Sequence, residues 1–167
     1  YNKYFRVYYS DDTLGCQLGG AIKNVYAIGS GIVDGLNLGE NARSAFISRS
    51  FAEILRLGKK IGAKEKTFFG LSGLGDLILT CNSKKSRNTA FGKILTKNKG
   101  KKIINIVKNK KTITEGYYTT KALYKLSNKF TIEMPILKSI FNILYNSGNI
   151  QKEIKLILNR QIKREFY

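Results

Sequence analysis

The sequence predicts an all-α, multi-helix domain preceded by one short strand. Apolar residues recur at three- and four-residue steps over most of the chain, and helix starters and stoppers punctuate these runs at short intervals. Only Tyr4-Phe5-Arg6-Val7-Tyr8-Tyr9 has the aromatic and β-branched content of a strand. A lone strand ahead of helices has nothing to pair with, so residues 1–12 are expected to be the last piece of a sheet lying upstream, and 13–167 a helical domain. With 167 residues, 43% of them hydrophobic, the chain can bury a core of its own.

Taken in order, Leu18, Ala21, Ile22, Val25, Ile28 and Ile32 predict an amphipathic helix ending near Asp34-Gly35. Lys23 shares its face with Gly19, Gly20, Ala27 and Ser30, small residues that leave the backbone open to close approach. A lysine there has room for a ligand, although spacing alone fits a surface lysine beside a close helix crossing equally well. Asn41 is the expected N-cap of a second helix that runs through Phe46, Ile47, Phe51, Ile54 and Leu55 to a stop at Gly62. After a short element at Lys64 to Phe69, the run Gly70-Leu71-Ser72-Gly73-Leu74-Gly75-Asp76 is too rich in glycine for a helix interior. It reads as a shaped turn feeding Leu77-Ile78-Leu79.

Ser86 caps a helix expected from Arg87 to Leu95. The basic stretch from Lys97 to Lys111 reads as a solvated connection, with Ile103, Ile104, Ile106 and Val107 able to form a short buried turn. Thr114-Glu115 open a helix through Leu123 and Leu126, and Pro135 fits the first turn of one through Leu137, Ile140, Phe141 and Leu144. Ile150 to Arg160 repeats the period with Ile154, Ile157 and Leu158.

The formal charge of +19 nominates polyanions as partners, and a basic helical nucleic-acid-binding module is one reading. The lysines are scattered along the whole chain and no binding-motif spacing accompanies them, so no nucleic-acid partner is expected. With no histidine, a His-dependent zinc site and a Ser-His-Asp triad are excluded. Cys16 and Cys81 are too few for a disulfide framework, no apolar run approaches membrane-spanning length, and a reduced, cytoplasmic protein without membrane insertion is expected. Gly29-Ser30-Gly31 with Gly35 lacks both the spacing and the preceding strand of a dinucleotide fingerprint.

Two further places can carry chemistry. At Ser86-Arg87-Asn88 a helix start offers unpaired N–H groups and a positive dipole end, which favour phosphate, and Arg87 adds a bidentate fork. An ordinary capped helix with an exposed arginine is the competing reading. Asp76 stands where the glycine turn gives way to the apolar run, in position to enter a cleft or to be a solvated turn residue.

Leu18-Gly19-Gly20-Ala21-Ile22-Lys23-Asn24-Val25, Gly35-Leu36-Asn37-Leu38-Gly39-Glu40-Asn41-Ala42-Arg43, Gly70 through Leu77, Cys81-Asn82-Ser83, Ser86-Arg87-Asn88 and Glu115-Gly116 together resemble NAD(P)-dependent glycerol-3-phosphate dehydrogenases in order and approximate spacing. The resemblance covers most of the chain. It implies a helical domain of the 6-phosphogluconate dehydrogenase C-terminal type, behind a Rossmann domain of which residues 1–12 would be the remnant. It further implies an oxidoreductase that interconverts glycerol 3-phosphate and dihydroxyacetone phosphate and so supplies phospholipid synthesis. Lys23 would be the acid/base residue; Lys23, Asp76, Ser86, Arg87 and Asn88 would surround the substrate. Arg87, Ile113 and Glu115 would reach the NAD or NADP cofactor, held mainly by the other half. A related lysine-dependent hydroxyacid dehydrogenase is the alternative within this resemblance, and a homodimer is an open assembly state.

Overall fold

A computed structural model describes residues 2–97, 103–108 and 114–158. Its organising element is α1 (Thr13–Gly35), which by its length spans about 35 Å. The helix begins five residues ahead of the first expected apolar position because Asp12 caps it: Oδ1 accepts from the Gly15 amide at 2.9 Å. The same carboxylate accepts from the Lys64 amide at 2.9 Å and the Thr67 hydroxyl at 2.6 Å, which ties α3 (Glu65–Phe69) to the start of α1.

The expected amphipathic helix is instead buried on every side from Asn24 to Val33. Helices α2 (Glu40–Ile61), α4 (Asp76–Asn82), α5 (Arg87–Lys97), α7 (Glu115–Lys129) and α8 (Pro135–Tyr145) all pack around it. The apolar stripe alone understates burial, because Gly29, Ser30 and Gly31 are packing surfaces too. At the α1–α5 crossing a Cβ on Gly31 would overlap the Thr89 carbonyl oxygen, and one on Gly92 would overlap that of Ile28. The two backbones therefore touch. Ile22, Val25, Tyr26, Ile28, Ile32, Ile54, Leu57, Phe68, Leu77, Phe91, Leu137, Ile140 and Ile143 form the core that results.

Several ends follow the expected signals. Helix α2 stops at Gly62 in the left-handed conformation (φ 89°), Ser86 Oγ accepts from the Thr89 amide at 3.2 Å, and Pro135 opens α8. Gly39, one residue ahead of Glu40, is the N-cap of α2 and makes no side-chain cap bond, which corrects Asn41 into the first turn. The short buried turn is α6 (Ile103–Lys108), with Ile106 and Val107 in the core. The last helix, α9 (Ile150–Leu158), packs on α8; the expected end at Arg160 lies outside the described residues.

Two further expectations fail. The glycine run is helical: Leu71–Gly75 forms a wide π turn, with the Gly75 amide donating to the Gly70 carbonyl five residues back at 3.2 Å, and runs directly into α4. Glycine is tolerated because the turn lies flush on its neighbours, a Cβ on Gly73 overlapping the Phe68 backbone. Residues 4–9 are not a strand, and no strand exists among the described residues. Asn2 and Phe5 exchange two backbone bonds across a tight turn that the Asn2 side chain caps, while Val7, Tyr8 and Tyr9 are exposed. Aromatic β-propensity expresses itself only when a neighbouring strand accepts the ladder.

Candidate functional site

Lys23 lies on the rim of α1 where its burial begins, and Asp76 is the first residue of α4, placed there by the π turn. The fold joins them: Nζ of Lys23 is ion-paired with Oδ2 of Asp76. Their side chains are 23% and 30% exposed, so the pair is neither sealed in the core nor free in solvent. On one side Gly19 is pressed against the Ser72 carbonyl of the π turn, while beside Gly20 a Cβ would meet nothing within 4 Å. The small-residue face expected around Lys23 therefore serves two purposes. Gly19 admits the turn that carries Asp76, and Gly20, three residues before Lys23 on the same helix, leaves the space above its backbone open.

The next residue, Asn24, which the sequence motif contains without marking as functional, begins a polar relay. Asn88 Nδ2 donates to Asn24 Oδ1 at 2.9 Å, Asn24 Nδ2 donates to Glu115 Oε2 at 3.2 Å, and the Gly116 amide donates to Asn88 Oδ1 at 3.0 Å. The starts of α5 and α7 are thus pinned to α1 one residue from Lys23. Gly116 makes this possible, since a Cβ there would overlap the Asn24 carbonyl oxygen. Asn24 was detectable as a polar residue at a four-residue step from both Gly20 and Ile28, inside the buried run.

Ser86, Arg87 and Asn88 diverge in role. Ser86 Oγ is engaged with the amide and hydroxyl of Thr89 and acts as the helix cap. Asn88 is buried in the relay. Arg87 extends outward, 62% exposed, with Nη2 3.7 Å from Oε1 of the comparably exposed Glu115. Thr89 anchors this helix start by donating to the Thr80 carbonyl of α4 at 2.9 Å. Lys23, Asp76, Asn88, Arg87 and Glu115 therefore converge through α1, α4, α5 and α7, whereas Ile113 lies outside the described residues.

Such an arrangement offers an amine able to give or take a proton, a carboxylate that orients it, and a guanidinium at a helix start suited to an oxyanion. Cys81 is no competing nucleophile: burial pushes its thiol up to about 12.

The family described as the C-terminus of NAD-dependent glycerol-3-phosphate dehydrogenase matches residues 12–155. The chain belongs to this family. Its similarity to the glycerol-3-phosphate dehydrogenase [NAD(P)+] of Enterococcus faecalis is 46% identity over 164 residues, covering 98% of this chain and 48% of that protein. The Haemophilus ducreyi enzyme is 48% identical over the same length, again across 48% of its chain. Among solved structures, the Coxiella burnetii glycerol-3-phosphate dehydrogenase superposes with a TM-score of 0.88 at 41% identity, covering 96% of this chain and 49% of that one. The Saccharomyces cerevisiae enzyme does so with a TM-score of 0.82 at 27% identity, covering 94% and 46%. The chain spans about half the length of the relatives it matches. The all-helical fold expected from the sequence is thus that of the C-terminal half of these dehydrogenases. Among the described residues no helix is long and apolar enough to cross a membrane.

Proposed function

We propose that this chain is the substrate-side half of an NAD(P)-dependent oxidoreductase interconverting sn-glycerol 3-phosphate and dihydroxyacetone phosphate. The observation that carries the reading is the Lys23–Asp76 pair beside the open backbone at Gly20, within a family whose relatives bear that activity in their names. A dinucleotide-binding half, outside the domain expected over residues 13–167, completes the enzyme.

In the oxidative direction Lys23 Nζ takes the proton of the reacting hydroxyl, and in the reductive direction it returns that proton to the carbonyl oxygen. Asp76 holds the amine in place and accepts a hydrogen bond from the polyol. The Arg87 guanidinium and the first amides of α5 hold the phosphate, aided by the helix dipole. Asn88 has a second Nδ2 hydrogen beyond the one given to Asn24, and Ser86 fixes the helix start that carries both neighbours.

The exposed Arg87 and Glu115 side chains, with Ile113, suit the nicotinamide dinucleotide from this domain. When bound, that cofactor supplies or accepts the hydride. The product is a glycerol phosphate of the kind consumed in phospholipid synthesis, and the working environment is the reducing cytoplasm.

The test is Lys23→Ala in the full-length protein that carries this chain. Reduction of dihydroxyacetone phosphate is expected to fall by about 10³-fold or more, with dinucleotide binding retained. Near-wild-type turnover would sink the assignment, and faster reduction of 3-keto acids than of dihydroxyacetone phosphate would transfer it to the hydroxyacid dehydrogenases. Salt-sensitive binding of arbitrary DNA, unchanged by Lys23→Ala and without turnover, would favour a nucleic-acid-binding module instead.

A further inference from the structure

Helix α7 enters the candidate site by its first turn, whose backbone is tied by the Tyr117 amide to the Thr114 carbonyl at 3.1 Å and by the Thr119 and Thr120 hydroxyls to the Glu115 and Gly116 carbonyls at 3.0 and 2.7 Å. Thr114 caps it with no side-chain bond, and Glu115 is two-thirds exposed. Among the described residues, the Glu115 carboxylate is held by the 3.2 Å bond from Asn24 and the 3.7 Å pair with Arg87. Where its carboxylate sits is therefore decided mainly by where the backbone of residues 115–117 sits.

One side of that turn rests on α1 and α5 through Gly116. The other is clamped by α8: the Tyr145 hydroxyl donates to the Tyr117 carbonyl at 2.6 Å, and the Tyr145 ring lies against that of Tyr117 with centroids 4.7 Å apart. Tyr145 is itself braced by Phe141 at 5.1 Å, which stacks on Tyr124 at 3.9 Å. Tyr117 in turn meets Phe91 of α5 edge-on at 6.4 Å. The Tyr117 carbonyl stands at the point where the aromatic column meets the first turn of α7. Burial raises the affinity of the Tyr145 hydroxyl for its proton, so it remains a donor across the working range.

We infer that Tyr145 is a positioning residue for the dinucleotide, acting through its bond to the Tyr117 carbonyl to set the place of Glu115. The inference rests on the oxidoreductase reading above, in which Glu115 faces the cofactor.

The experiment is Tyr145→Phe in the full-length protein, which keeps the ring and removes the donor. Binding of NADH or NADPH, followed by the fluorescence of the reduced nicotinamide, is expected to weaken about threefold to tenfold, as loss of one hydrogen bond implies. The KM for dihydroxyacetone phosphate should stay within about twofold. In combination with Glu115→Gln the two losses should be non-additive, the double variant binding about as weakly as Glu115→Gln alone.

A companion variant, Phe141→Leu, weakens the column but leaves the donor in place. It should lower the melting temperature more than it lowers dinucleotide affinity. Additive losses, equal weakening of both ligands, or dinucleotide binding unchanged by Tyr145→Phe would each overturn the inference. If the wild-type protein binds dinucleotide without reducing dihydroxyacetone phosphate, the proposed function fails while the binding comparison still tests Tyr145.

Discussion

Helix α1 carries two polar junctions one turn apart, and they are built in opposite ways. At the first, Tyr26 donates to Glu53 Oε2 at 2.9 Å in the core, and the same carboxylate accepts the Ile136 and Leu137 amides at 2.7 and 3.1 Å. Glu53 thus serves as the missing cap of α8, delivered from α2, and is 1% exposed. At the second, Lys23 and Asp76 form one ion pair, remain partly exposed and border open space. A junction whose acceptor is shared among three buried donors can only hold helices together. One whose charges retain unused hydrogen-bonding capacity beside a vacant backbone can act on something that arrives. A carboxylate is common to both, so what separates scaffold from site is how far it is buried and the capacity left over.

The largest effect that tests this contrast is at Glu53. Glu53→Ala strands the Tyr26 hydroxyl and two α8 amides without their acceptor, and should cost about 3–5 kcal/mol in urea unfolding. A loss below about 1 kcal/mol would mean the closed junction is not what holds α8.

The next effect is the pH dependence of stability. Burial pushes the Glu53 carboxyl from an ordinary 4.5 up to about 7, against the opposing pull of the two amides, Tyr26 and Arg56. The folded form binds this proton more tightly than the unfolded one, so the contribution is fully present below about pH 4.5 and is lost as pH rises through about 7. The swing is at most about 3 kcal/mol. Melting curves at pH 5 and pH 8 should therefore diverge less for Glu53→Gln than for the parent, and equal divergence would contradict the assignment.

Asp76→Asn probes the open junction. Stability should move by no more than about 0.5 kcal/mol, as for other part-exposed pairs. Turnover in the full-length protein should fall about 10²-fold. A large stability loss with intact turnover would reverse the roles given to the two junctions.

The helices were legible because their signals are local. Gly62, Ser86 and Pro135 mark real ends, since a cap or a missing N–H acts within one turn. The strand at residues 4–9 was misread because pairing is not local: the same side chains without a neighbouring strand settle into an Asn2-capped turn. Glycine content hid the π turn, where contact with α1 and α3 outweighs the intrinsic cost of glycine in a helix.

Lys23, Asp76 and Arg87 could be nominated individually, but the pairing of Lys23 with Asp76 spans 53 residues and no periodicity encodes it. Glu53 passed unnoticed although the four-, three- and four-residue steps Phe46, Ser50, Glu53 and Leu57 set it on the buried stripe of α2. An acid at a core position of an amphipathic helix is the signal that could have found it.

The contact between α1 and α5 has a consequence beyond packing. With only hydrogen between the two main chains at Gly31 and Gly92, neither helix can slide or roll past the other without collision. The separation between Lys23, about two turns from Gly31, and Arg87, about one and a half turns from Gly92 on the other rod, is therefore gauged at a place where no chemistry occurs. A single added methyl there would detune both ends of the site at once and leave every charged residue in the sequence unaltered.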